Sequence, residues 1–593
     1  MTALVDGMTN TTTFQYDQLS RLIQKIYADG SFYQYTYNAR GWLTQRTDAK
    51  GVATGYAYNN DGQLTNVNYA TDTDVQYYLD NLGRATGRVD SAGTWTWTYD
   101  QESSRVLSET LSGQSTVSYS YAPNTFDLAS VGCGSSTTFY SWTAGRLTNV
   151  TALTASALPL GFAYSYVPNS DLLQQTAYLG GTVTVYRAYD VLNRLTSISA
   201  ANDAATVNSF SYQLDSLGRR VQRTDVDNSQ TQWKYDNYDQ LTNGVRSGSA
   251  NGAADAAYNF GYHYDQVGNR LQENRGQSQT LSGVEGLSLT GSFNSLNQVT
   301  HLAWNGNAGI VGSVASTNAA VLVQGYTNAP PFYNQTNWLG EAAMHEGSNN
   351  IAIVAWQGTN YSGTNVTVFM PPLNPEPFSW DANGNMLSDG QRNLTWDNEN
   401  RLIAIETKAN LGITQLRSEY TYDAQSRRIQ KIDKSGWNGS AYGTTNVIKY
   451  VWDGWLLLAE LNADNSLKAY NVHGLDLSQS LQGAGGIGGL LCRIEGGANY
   501  LFTFDGNGNV TDVLDTNANV VAHYEFDPFG RTVAQSGSYA SQNPWRFSTK
   551  QIEPAWNLYY YGLRFYSPNL HTWLSRYPMG ERGGLNLYVI VNN

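Results

Sequence analysis

The sequence predicts an all-β repeat protein, a long series of β-hairpins in one curled sheet. Three observations carry this: a motif at near-constant spacing, alternating residues between its copies, and turn-forming residues at fixed places. The motif is an aromatic, then Asp or Asn, then a basic or amide residue a few positions on. It reads Tyr16-Asp17-Gln18-Leu19-Ser20-Arg21, Tyr37-Asn38-Ala39-Arg40-Gly41-Trp42 and Tyr58-Asn59-Asn60-Asp61-Gly62-Gln63. Leu79-Asp80-Asn81-Leu82-Gly83-Arg84 and Tyr99-Asp100-Gln101-Glu102-Ser103-Ser104-Arg105 follow. From Asp17 the steps are 21, 21, 21 and 20 residues.

Each period divides into two strands and two turns. In Phe32-Tyr33-Gln34-Tyr35-Thr36-Tyr37 aromatics recur at every second place, as expected of a strand with one buried face. Asp-x-x-Gly, as in Asp80–Gly83 and Asp265–Gly268, fits a type I turn: the carboxylate accepts from the turn backbone and Gly tolerates positive φ. A second turn falls midway, at Asp29-Gly30 and Lys50-Gly51. Copies recur at Asp190, Asp215, Asp236, Tyr264-Asp265, Asp381, Asp397, Asp423, Asp453, Asp505 and Asp527-Pro528-Phe529-Gly530-Arg531. One sheet of this many strands must curl, since flat sheets and open edges are unfavourable. Propeller blades need about 40–50 residues, so this period excludes them.

Residues 1–302 carry repeats. They lapse over 303–372, a Gly/Ala/Asn/Thr-rich segment expected to be an inserted, small β-sandwich-like module that contains the Ala329-Pro330-Pro331 break and ends at Pro371-Pro372. They resume over 373–499 and lead into a distinct C-terminal stretch, 500–593.

Composition narrows function. Net charge −13 argues against a nucleic-acid partner, and no apolar run of 18 residues exists to span a bilayer. Charged residues are 14% against 42 Tyr and 16 Trp, enough aromatic surface to fill sheets this extensive. Cys133 and Cys492 do not suggest a disulfide framework. The start lacks signal-peptide features and opens into a repeat, and the chain stops at Asn592-Asn593, which reads as a piece of something longer.

These repeats resemble the Tyr-Asp (YD) repeats of RHS proteins, shared with Tc-toxin C components and teneurins. The resemblance is most specific at the C-terminus: Asp527–Arg531, Trp545-Arg546-Phe547-Ser548, Leu558–Tyr566, Trp573-Leu574-Ser575-Arg576 and Gly583–Tyr588 match the RHS-associated core in order. The family implies a spiral β-sheet wound into a large hollow shell, with 500–593 as a truncated core plug. It further implies a C-terminal toxin cargo, absent here, a delivery-system partner, and a secreted or cell-surface location.

The family's core is an aspartyl autoprotease whose first Asp lies in Arg-Asp-Pro-x-Gly. Here that stretch reads Arg576-Tyr577-Pro578-Met579-Gly580. A phenol titrating near 10 is no carboxylate base, and the second Asp and cleaved bond would lie past Asn593. No self-cleavage is expected, and no enzyme.

The repeat residues Tyr16, Asp17, Arg21, Tyr37, Tyr58, Gly62, Asp80, Gly83, Arg84, Tyr99, Asp100, Tyr264, Asp265, Gly268, Asp527, Gly530 and Arg531 read as structural. Asp505-Gly506-Asn507-Gly508-Asn509 lacks the Glu of a calcium loop, and Gly483–Gly489 lacks the Lys of a phosphate loop. His263, His301, His345, His473, His523 and His571 lack metal-ligand spacing. No metal or other cofactor is expected. The leading function is an encapsulating shell of a polymorphic toxin. The alternative is an adhesive or carbohydrate-binding surface protein, with a glycan as partner, and a glycosidase ranks last because no acid pair stands out from the turns.

Overall fold

A computed structural model describes every residue except 1, 124, 126, 155–156, 179–182, 203–204, 249–257, 277–285, 315, 317, 324–331, 335–336, 346, 371–377, 410, 412–413 and 591–593. Ala329-Pro330-Pro331, Pro371-Pro372 and Asn592-Asn593 therefore lie outside the described residues. The described regular structure is β-strand and two short 3-10 turns, Phe547–Thr549 and Gly580–Gly583.

Consecutive strands pair antiparallel from Ala3 onward, and after residues 303–372 a second long sheet runs from Ser379 to Ser536. Alternation sets the faces: in Phe32–Tyr37, Tyr33, Tyr35 and Tyr37 are part-buried while Phe32, Gln34 and Thr36 are exposed. The motif turn is a type I turn with a bulge. Gly83 N donates to Asp80 O at 2.9 Å, and the register shifts by one between Tyr78 and Leu79.

The wall winds back over itself. Intervening turns of the first sheet meet motif turns of the later one. Asn383 Nδ2 donates to Asp48 Oδ2 at 2.6 Å, 335 residues away, and Asn398 N donates to Asp72 Oδ2 at 2.7 Å across 326. Ala424 N donates to Asp90 Oδ2 at 2.9 Å across 334. At the start of the spiral, Asn297 Nδ2 reaches Asp6 Oδ2 at 3.2 Å. Burial follows this seam: Trp95 and Leu111 join Leu394, Ile405 and Tyr422 in one core, and Val131, Val150 and Leu160 join Val451, Leu458 and Tyr470 in another. The sequence separation of the contacting turns defines a spiral.

Strand Val299–Ser313 continues from the first sheet into the 303–372 segment and pairs with Asn337–Ala343. A three-stranded sheet of Ala320–Val323, Gly347–Gln357 and Asn360–Met370 accompanies it, and Ile310, Val321, Trp338 and Ile353 share one core. The Gly483–Gly489 connection precedes strand Leu490–Glu495. Its amides at Ala484 and Gly486 point at Asp476 Oδ2, at 2.7 and 3.2 Å, so its anion nest is filled by the chain's own carboxylate.

A separate four-stranded sheet, Gln551–Glu553, Leu558–Tyr560, Phe565–Ser567 and Thr572–Trp573, shares a core with residues of both long sheets, among them Trp95, Leu111 and Leu394. Arg428, fully buried, pairs with Glu553 and stacks over Tyr560 at 4.3 Å. Tyr588 accepts from Gln298 Nε2 at 2.8 Å and donates to Gly384 O at 3.0 Å. Lys25 meets Glu581 at 2.7 Å.

Candidate functional site

The motif residues form a clasp that repeats along the wall. Asp80 Oδ1 accepts the amides of Leu82 and Arg84 at 2.9 Å each, and Oδ2 accepts Arg84 Nε at 2.7 Å. The guanidinium then lies 4.6 Å over the ring of Tyr99, one motif on. Tyr99 Oη donates to Ala85 O at 2.7 Å, back in the preceding hairpin. Asp17 and Arg21 do the same with Tyr37: 2.7 Å within the pair, 5.0 Å to the ring, and Tyr37 Oη to Leu22 O at 2.8 Å. The Arg21 amide and guanidinium hold the Asp17 carboxyl below its ordinary range.

The other copies vary this scheme. Asp100 Oδ1 accepts from Glu102 and Ser103, in a turn one residue longer. Asp265 is clasped by Asn269 Nδ2 at 2.8 Å, and Gly268 has φ +85°. Tyr264 is part-buried, and burial raises its phenol. Tyr16, at the first motif, is 41% exposed. The ring of Tyr58 lies 5.5 Å from Trp42. Gly62 has φ +83°, and a Cβ there would sit 2.8 Å from the same Trp42 ring, so only Gly fits. Gly530 is held likewise by Phe547 at 2.6 Å, with φ +90°.

Arg576 and Tyr577 follow the last strand of the four-stranded sheet, Thr572–Trp573. The Arg576 guanidinium stacks 3.8 Å over Tyr27 in the first coil. Tyr577 N donates to Leu587 O at 3.0 Å, and its carbonyl accepts from Gly580 N at 2.8 Å. Arg564 stacks 4.3 Å over its ring. The position is thus occupied by an aromatic held between arginine and turn, with no acid on it.

A cavity of about 1290 Å³ lies between the late first coil, the end of the second and the plug. Arg246, Phe260, Asp512, His523, Glu525 and Asp527 contribute to its wall. Arg246 Nη1 crosses from the first coil to Glu525 Oε2 at 2.6 Å. Asn208 Nδ2 crosses to Asp512 Oδ2 at 2.7 Å. His523 Nδ1 lies 2.7 Å from Asp512 Oδ1. Burial opposes charge on this imidazole, but the Asp512 and Glu525 carboxylates outweigh it and push it up to about 10. Desolvation also opposes charge on the part-buried Glu525, but His523 and Arg246 beside it outweigh that and push it down to about 2.

Asp527 closes on a second cluster. Glu273, Asp527 and His571, all buried, present ligand-type atoms within 4.8 Å of one another. Three guanidinium groups already hold the two carboxylates: Arg270 and Arg275 on Glu273 at 3.2 and 2.5 Å, and Arg531 on Asp527 at 3.0 Å. That surplus of positive charge opposes a divalent cation, so the cluster reads as an ion network between the first sheet and the C-terminal stretch. Neither this cluster nor the His523 group was legible from spacing, because each draws on segments hundreds of residues apart. His473 is likewise buried, within 3.0 Å of Leu457 O, and burial pushes it down to about 4. Asp505 receives the amides of Asn507 and Asn509 at 2.9 and 3.0 Å and behaves as a turn cap.

With this geometry in place, the comparisons with known proteins are direct. Residues 3–125 match the family model for the teneurin YD-shell. The tRNA3(Ser)-specific nuclease WapA of Bacillus spizizenii is 31% identical over 218 residues, 36% of this chain and 8% of that protein. Toxin subunit YenC1 of Yersinia entomophaga is 24% identical over 464 residues, 72% of this chain and 45% of that subunit. A structure of the Photorhabdus luminescens Tc holotoxin pore aligns over 99% of this chain and 30% of its own, at 17% identity and TM-score 0.50. The chain thus spans less than half the length of these curated relatives. Over residues 3–125 the chain is similar to the teneurin YD-shell, and over most of its length to the toxin subunit of Yersinia entomophaga.

Proposed function

We propose that this chain is the wall of an encapsulating shell from an RHS-type polymorphic toxin, acting outside the producing cell after delivery by a partner. The observation that carries this is the seam. Motif turns of one coil lock onto intervening turns of the coil before it, and a plug anchors to both coils. A wall so joined separates an interior from solvent, and a structural role accounts for the motif carboxylates better than catalysis does. The names of the nuclease and toxin-subunit relatives support a toxic cargo, which would follow the plug.

The same reading holds that the chain does not cut itself, because Tyr577 replaces the carboxylate. The protein is expressed with a downstream extension containing the family's second Asp, and its mass is measured. No cleavage is expected with Tyr577, and cleavage after Tyr577→Asp. Cleavage of the Tyr577 protein would refute the assignment. Encoding sequence past Asn593 that specifies a cell-wall anchor in place of a variable domain would refute the container role.

A glycan-binding role for the 303–372 segment is the second reading. Trp356 and Tyr361 lie directly opposite each other near a hairpin tip, 39% and 82% exposed, a platform suited to a sugar face. A glycan array probed with the whole chain and with Tyr361→Ala separates the readings, since a pure container binds nothing.

A further inference from the structure

Asp512, His523 and Ser536 stand side by side on three consecutive strands, Val510–Leu514, Val520–Phe526 and Thr532–Ser536. Asp512 pairs with His523, and His523 with Ser536, in register. Directly opposed residues project from the same face with Cβ atoms about 4.5–5.5 Å apart. All three line the cavity. His523 Nδ1 is 2.7 Å from Asp512 Oδ1, and Asp512 Oδ2 is fixed by Asn208, so the carboxylate orients the ring. Nε2 faces Glu525 Oε1 at 3.6 Å, and Arg246 holds the other oxygen of that carboxylate at 2.6 Å. Ser536 is exposed on the last strand of its sheet.

We propose that Ser536, His523 and Asp512 form a serine-nucleophile site on the cavity wall that cleaves small, activated esters. In the first half-reaction Ser536 Oγ bonds to the ester carbonyl carbon while its proton passes to His523 Nε2. The C–O bond of the leaving alcohol then breaks, and the alcohol departs with that proton. Water repeats the sequence against the acyl-serine, releasing the acid and restoring Ser536. Asp512 orients the imidazole and stabilises its charged form.

The surroundings set the pH at which this occurs. Asp512 and Glu525 face the ring, and Arg246 faces Glu525, with Asp225 and Asp227 around Arg246. Together they hold the imidazole protonated at neutral pH, so the base form emerges only on the alkaline side. Nothing here depends on the container reading.

The test uses the full chain, a fluorophosphonate probe and p-nitrophenyl acetate at pH 7 and pH 10, with the modified residue mapped by mass spectrometry. The expected result is a label on Ser536, about 10²-fold faster at pH 10, absent in Ser536→Ala, and slowed about 10²-fold by His523→Gln. Because Ser536 is exposed, its truncation leaves the fold intact. An unlabelled Ser536 at both pH values, or a rate indifferent to His523→Gln, overturns the proposal.

Discussion

At the residue scale, the clasp explains why the motif needs each of its parts. Asp satisfies the turn amides, the basic residue ties this turn to the next, and the aromatic hydroxyl ties it to the one before. Replacing Tyr99 with Phe leaves Ala85 O without its donor and is expected to cost about 0.5–1.5 kcal/mol, read from denaturant midpoints. Glycines separate conformation from sterics. Gly30 has φ +85° and open space around it, so Gly30→Ala should cost about 1–2 kcal/mol. Gly62→Ala meets the Trp42 ring as well and should cost clearly more; equal losses would show that the ring moves freely. The Asp and Gly roles were legible in the sequence, since turn chemistry is local. The Arg-over-Tyr contact was not, because it joins residues 15 apart whose proximity depends on hairpin stacking.

Ionisation gives two opposite dependences. His523 is raised in the folded state, so its contribution is complete below about pH 6.5 and is lost as pH rises through about 10. Its side chain is 37% exposed, which keeps that contribution modest. Asp17 and Asp190 are lowered, so what they add is present above their ordinary range near 3.8 and disappears as pH falls below it. Thermal midpoints should therefore fall on both sides, and His523→Gln should flatten only the alkaline limb.

At the element scale, the C-terminal four-stranded sheet depends on buried charge. Arg428 is surrounded by Glu553, Gln551, Tyr450 and Tyr560. Arg428→Ala leaves Glu553 buried with Lys431 as its remaining cation, and should cost about 3–5 kcal/mol. Hydrogen exchange should then rise in Gln551–Trp573 before it rises in the first coil. Strand periodicity was readable for the wall because alternation and turns repeat. The strands of the C-terminal four-stranded sheet are two or three residues long, too short for any period to show.

At the scale of the whole molecule, the two coils should unfold as one where they are joined. Asn208 meets Thr503, Thr511 and Asp512 from the opposite coil. Asn208→Ala should cost about 1–3 kcal/mol and loosen amides in Thr206–Leu214 and Val510–Leu514 together. Loss confined to one of these strands would show that the seam does not couple them. The sequence implied a curved wall, but the pitch of the winding was invisible. It is set by which turns meet, and no pattern along the chain encodes a separation of 335 residues.

Along the early seam the separations stay within ten residues of one another, 335, 326 and 334, which makes that part of the wall behave like a screw thread. Adding or removing one hairpin among the early repeats would slip every later tooth past its mate, from Asp48 with Asn383 to Asp90 with Ala424. Length is therefore rigidly metered wherever teeth mesh. Within residues 303–372, Ala320–Val323, Gly347–Gln357 and Asn360–Met370 form a sheet apart from the strip, at a place where extra chain can be added without changing the count.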